Sequence, residues 1–62
     1  MKIKLKVGQI YYWHEKNVLA ELYSINKTPI FKLKKYILLS ECWGCSIFED
    51  ELREDFTYIG DL

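Results

Sequence analysis

Lys2 to Val7 alternates strictly, with Lys2, Lys4 and Lys6 on one side and Ile3, Leu5 and Val7 on the other. A period of two predicts a strand with one wet face, and Gly8 then breaks or bends it. Gln9 to His14 is dense in β-formers (Ile10, Tyr11, Tyr12, Trp13), which predicts a second strand. Glu15-Lys16-Asn17 reads as a tight hairpin turn, with Asn17 suited to positive φ. Val18 to Ile25 contains good helix formers, but it is short, lies between turns and keeps Val18, Ala20 and Leu22 at a two-residue period. It is expected to be a strand. Asn26-Lys27-Thr28-Pro29 follows as a turn, because proline removes a donor and pre-sets φ. Ile30 to Leu38 alternates again, with Phe31, Leu33 and Ile37 opposite Lys32, Lys34 and Tyr36. Lys35 falls on the Phe31 side, which predicts a twist, a bulge or a strand end there.

Glu41 to Ser46 reads as another short strand, running through Trp43. The period then changes. Ser46-Ile47-Phe48-Glu49 has the form of a capping box, and Phe48, Leu52 and Phe56 recur every four residues as one apolar stripe. Glu49, Asp50 and Glu51 fall in the first turn and Arg53 near the end, where the helix dipole favours each sign. These signals predict one short helix, about residues 47–54, and a closing strand Thr57 to Ile59 stopped by Gly60. Five or six short strands with one helix before the last favour an antiparallel sheet curled into a small barrel.

Several segments carry a resemblance: Val7-Gly8-Gln9-Ile10-Tyr11, Trp43 with Ser46, then Phe48, Leu52, Phe56 and Tyr58-Ile59-Gly60. Together they resemble the small SH3-like barrel proteins of bacteria and their phages. There a Gly-Gln-x-Tyr opening strand, a Trp-x-x-Ser segment, a short acidic helix and an aromatic closing strand recur. The resemblance implies a mainly β, SH3-like barrel over residues 1–62 as a single domain, and an interaction protein of the phage or mobile-element kind.

Size and composition narrow the function. Sixty-two residues, 50% apolar, make one small globular domain. A chain this short has difficulty enclosing a reaction cleft of about 300–1,000 Å³, so an enzyme is not expected and no cofactor is called for. Ten aromatic side chains are the expected source of core area. No run approaches the roughly 20 apolar residues of a membrane span. The lysine-rich start lacks the apolar stretch of a signal peptide. A cytoplasmic location follows as the default.

The net charge is zero, but the signs are segregated. Residues 1–35 hold eight lysines against Glu15 and Glu21, a balance of +6. Residues 36–62 hold Arg53 against seven acids, a balance of −6. Three candidate sites follow. The first is a protein-binding face made from exposed rings and one charged face. Tyr11, Tyr12 and Trp13 are consecutive, so one ring should point outward, with Tyr12 or Trp13 as the contact; Glu49, Asp50, Glu51 and Glu54 supply a negative face. The partner would be another protein or a second copy of the chain. The alternative is single-stranded nucleic acid on a stripe of Lys2, Lys4, Lys6, Lys32, Lys34 and Lys35, with rings to stack the bases. Lysines of that kind also serve simply to guard a sheet edge. The third is Cys42-Trp43-Gly44-Cys45, a C-x-x-C pair able to act in a redox couple or to contribute half of a zinc site shared across a dimer. The simpler reading is inert, partly buried cysteine. His14, beside Glu15 at a strand end, is expected on the surface near a turn.

Overall fold

The computed structural model describes residues 4–29 and 33–61. Within them the chain runs β1 (Gln9–Trp13), β2 (Val18–Lys27), β3 (Lys34–Leu39), β4 (Gly44–Ile47), α1 (Glu49–Asp55) and β5 (Phe56–Asp61). All the ladders are antiparallel, in the order β4-β3-β2-β1-β5. Hairpins link β1 to β4 in sequence. The helix then carries the chain back so that β5 can pair with β1. The molecule is therefore mainly β, with one short helix before the last strand. The expected closure into a barrel is not seen as a ladder between β4 and β5, which end the order on either side.

One face of the sheet, with the helix across it, forms the core. Tyr11, Trp13, Ala20, Leu22, Tyr36, Leu38, Leu52 and Phe56 are buried together, and Leu5, Val18, Ile25, Cys45, Ile47 and Tyr58 pack around them. Alternation accounts for most of this: Gln9, Tyr11 and Trp13 share the inward face of β1, and Ala20 and Leu22 that of β2. The inward residues of β2 are out of phase after Leu22, since Ile25 lies three positions on. A bulge corrects the phase. Leu22 pairs with Leu38 and Ser24 with Ile37, so Tyr23 is the extra residue, and Ile25 comes opposite the buried Tyr36. A second bulge on β5 does the same. Gly60 pairs with Ile10 and Tyr58 with Tyr11, which leaves Ile59 as the extra residue. Bulges bend and twist a strand, and each here puts its surplus apolar side chain, Tyr23 or Ile59, into solvent.

Four expectations are corrected. Lys4 to Val7 is not a strand. Two of its backbone groups bond one side chain instead: the Lys6 amide donates to Gln9 Oε1 at 2.9 Å, and Gln9 Nε2 donates to the Lys4 carbonyl at 2.7 Å. The Tyr11 hydroxyl donates to the same Oε1 at 2.9 Å, so the buried Gln9 makes three side-chain hydrogen bonds that pin the arm to the core. On β3 the buried face is that of Tyr36 and Leu38, because register puts them opposite Ile25 and Leu22; Ile37 faces outward and Leu33 is exposed. The capping box does not form. Ser46 stays in β4, opposite Ile37, and α1 starts at Glu49 behind Phe48 with no side-chain cap. Gly60 is a paired strand residue and not a stop. The turn at Glu15–Asn17 is as expected, with Asn17 at φ 55°. The expected strand residues Lys2, Ile3, Ile30, Phe31 and Lys32 lie outside the described residues.

Candidate functional site

The β1–β2 turn and the β3–β4 loop lie at the same end of the sheet, since both follow from antiparallel hairpins. The β3–β4 loop is held by Ser40. Its hydroxyl accepts from the Trp43 amide at 3.0 Å and donates to the Trp43 carbonyl at 3.1 Å, while the Ser40 amide donates to that carbonyl at 2.8 Å. Trp43 therefore stands before β4, not within a strand as its sequence context predicts. Its ring is 48% exposed and spans the gap to the other hairpin, where the Lys16 Nζ lies 4.2 Å from the ring centroid. Gly44 comes next, and a side chain there would make the exposed Leu39 side chain shift, since its Cδ2 lies 2.9 Å from where a Cβ would stand.

Three large apolar side chains meet at this end. Leu19 is 59% exposed and Leu39 is 40% exposed. Leu19 pairs with the half-buried Tyr12 across β1 and β2, and Leu39 pairs with Gly44 across β3 and β4. An open groove of about 440 Å³ runs between the hairpins, lined by Val18, Leu19, Ser40, Glu41, Cys42 and Trp43. Val18, Leu19 and Trp43 supply its apolar lining, its one charged lining residue is Glu41, and the cinched loop fixes the backbone of Trp43.

The sequence-predicted contacts fall differently. Trp13 is not outward. It is 6% exposed and stacks on Phe56 with centroids 5.2 Å apart, because odd-numbered positions of β1 face the core. Tyr12 does face outward, its hydroxyl donating to the Asn17 side chain and its ring edge-on to His14. The acids do not join it. Helix α1 buries Leu52 on the core side of the sheet, away from the outward Tyr12. Asp50, Glu51 and Glu54 are exposed, whereas Glu49 is half-buried and bonded to Arg53 at 2.7 Å. Sequence reasoning missed Leu19, Leu39 and the exposure of Trp43. The available signal was Ser40 three residues before Trp43, with glycine directly after: a turn-forming hydroxyl and a residue that leaves room beside it.

The described lysines do not form one stripe. Lys34 and Lys35 are consecutive strand residues and so take opposite faces. Lys34 stands opposite Lys27, and Lys35 lies over the Phe48 ring at 4.6 Å. Lys6 is 3.9 Å from Asp61, and Lys4 is exposed on the arm. Lys2 and Lys32 lie outside the described residues.

Cys42 is exposed in the groove and Cys45 is half-buried on β4; both thiols are free. Burial pushes the Cys45 thiol up, a backbone hydrogen bond with Leu38 opposes this, and Glu51 and Glu15 add to the rise. A nucleophilic or redox thiol needs the opposite direction. Among the described residues no three His, Cys, Asp or Glu side chains gather as metal ligands. His14 is exposed at the end of β1, as expected, and shares a 2.6 Å hydrogen bond with the Thr57 hydroxyl. No helix among the described residues is long and apolar enough to cross a membrane. Compared with protein-family models, curated proteins and solved structures, the chain matches none.

Proposed function

We propose that this chain is a non-catalytic interaction protein that binds a protein partner through the hairpin end of its sheet. The observation that carries the reading is the exposed pair Leu19 and Trp43 lining one open groove, with exposed Leu39 at the same end of the sheet and Tyr12 opposite Leu19. Contiguous exposed apolar surface with a polar rim marks an interaction site, and tryptophan is the residue most enriched among contacts that dominate binding energy. The cinched Ser40–Trp43 loop adds to this, because an ordered loop backbone loses little freedom on binding. The strand order, with a short helix leading into a last strand beside the first, supports the SH3-like reading of the fold. Two free thiols support work in the reducing cytoplasm.

The test replaces Trp43 and Leu19 with alanine together. A partner recovered with the parent chain should be lost with this variant and kept by an Asp50→Lys, Glu54→Lys variant. Retention by the first and loss by the second would move the contact to α1. Loss of an oligonucleotide rather than a protein would favour nucleic acid instead.

A further inference from the structure

We propose that the groove between the two hairpins takes a cationic peptide segment: a large apolar side chain seated between Leu19 and Trp43, flanked by lysine or arginine. This rests on the docking reading above and names the chemistry of its partner.

Charge complementarity carries the proposal. Glu41 lines the groove itself. Glu15 stands exposed in the neighbouring turn, its side chain 74% accessible. Glu21 follows Leu19 by two positions on the same face of β2, opposite Leu39. Against these three carboxylates, Lys16 is the only lysine or arginine in residues 14–22 and 39–44. It is already engaged, with its ammonium 4.2 Å from the Trp43 centroid and 3.9 Å from Glu15 Oε1.

That arrangement shows what the ring accepts. An indole face with carboxylates beside it attracts a cation, and the chain places its own there. One amine does not neutralise the surrounding acids, so the field over the groove stays negative. An acidic peptide or a phosphate backbone would meet those carboxylates with no free amine to answer them. A peptide with basic residues on both sides of an apolar one meets Glu41 on one flank and Glu15 or Glu21 on the other, while its centre covers Leu19 and Trp43. Steering by opposite charge also speeds encounter.

The experiment uses the full ¹⁵N-labelled chain and three nine-residue peptides with one leucine-phenylalanine-leucine centre, flanked by arginine, serine or glutamate. The readout is the indole N–H signal of Trp43, with the buried Trp13 as internal fold control. The arginine peptide should move the Trp43 signal. Its binding should weaken about three- to tenfold in Glu15→Gln, Glu41→Gln protein, the scale of two exposed charge pairs, and should weaken further with salt. Equal binding of the serine or glutamate peptide overturns the cationic assignment and leaves the docking groove standing. A Trp43 shift on concentrating the protein alone gives the groove to a second copy, and a shift with a single-stranded oligonucleotide gives it to nucleic acid; either also overturns the proposal. If no peptide moves the signal, both the proposal and the docking reading fall.

Discussion

The two tryptophans, Trp13 and Trp43, separate the core from the exposed hairpin end. Trp13 is buried and stacked on Phe56, so Trp13→Ala removes a core ring and leaves a cavity, at a cost of about 3–5 kcal/mol. Trp43 is half in water, so Trp43→Ala should change stability by no more than about 1 kcal/mol, even with the loss of its contact to Lys16. Denaturant unfolding of the two variants measures both, and equal losses would mean that Trp43 belongs to the core. The tyrosines set the alkaline limit. Burial raises Tyr11 and Tyr36, and a hydrogen bond donated to Asp61 raises Tyr58. Each is therefore held neutral in the folded chain above the pH at which the unfolded chain ionises. Their contribution is complete below about pH 10, the unfolded value, and is lost as pH rises from there through the folded values. Melting temperature should fall above about pH 10, and Tyr11→Phe should flatten that fall; an unchanged slope would show that Tyr11 ionises freely.

At the scale of elements, patterning succeeded where a strand had a single phase and failed where backbone bonds took an unusual route. The Glu15–Asn17 turn, β1, the two-residue period of β2 and one short helix before the last strand were all legible, since each follows from a local preference; of the expected stripe Phe48, Leu52 and Phe56, only Leu52 lies within α1. The Lys4–Val7 alternation was not informative: the Lys4 carbonyl and the Lys6 amide bond the Gln9 side chain, and no pattern of apolar residues encodes that. The inward face of β3 was set by register against β2, and the Tyr23 bulge that fixes this register shows only once both strands are placed. Trp43 was misplaced for a related reason, since the Ser40 cinch ends β3 and delays β4. The helix start offers a test. Ser46 is a paired strand residue and Glu49 bonds Arg53, so neither is available for a capping box. Ser46→Ala should cost less than about 0.5 kcal/mol, below the range of roughly 0.5–2 for a true N-cap. A loss of about 1 kcal/mol or more in urea unfolding would mean that Ser46 caps α1 after all.

Taken whole, the charge halves of the sequence do not become two clean faces, because the hairpins fold them together. Lys16 lands among carboxylates at one end, while Glu49, Asp50 and Asp61 lie near Lys6 and Lys34 at the other. What the molecule separates instead is the core from the exposed apolar side chains at the hairpin end. The core is small, with Leu22, Leu38 and Leu52 the most deeply buried apolar side chains among the described residues. A chain of this size commonly holds only about 3–5 kcal/mol in reserve, and removing a fully buried leucine costs about 2–5. Leu38 pairs with Leu22 on one side and Cys45 on the other, so it joins β2, β3 and β4 at the centre of the sheet. Leu38→Ala should therefore unfold most of the population at 37 °C, seen as loss of both strand circular dichroism and Trp13 burial in one transition. Leu19→Ala, which removes as many atoms from an exposed position, should melt within a few degrees of the parent chain. If the two variants melted alike, the groove leucine would be holding the fold, and the end of the sheet assigned here to a partner would be part of the core.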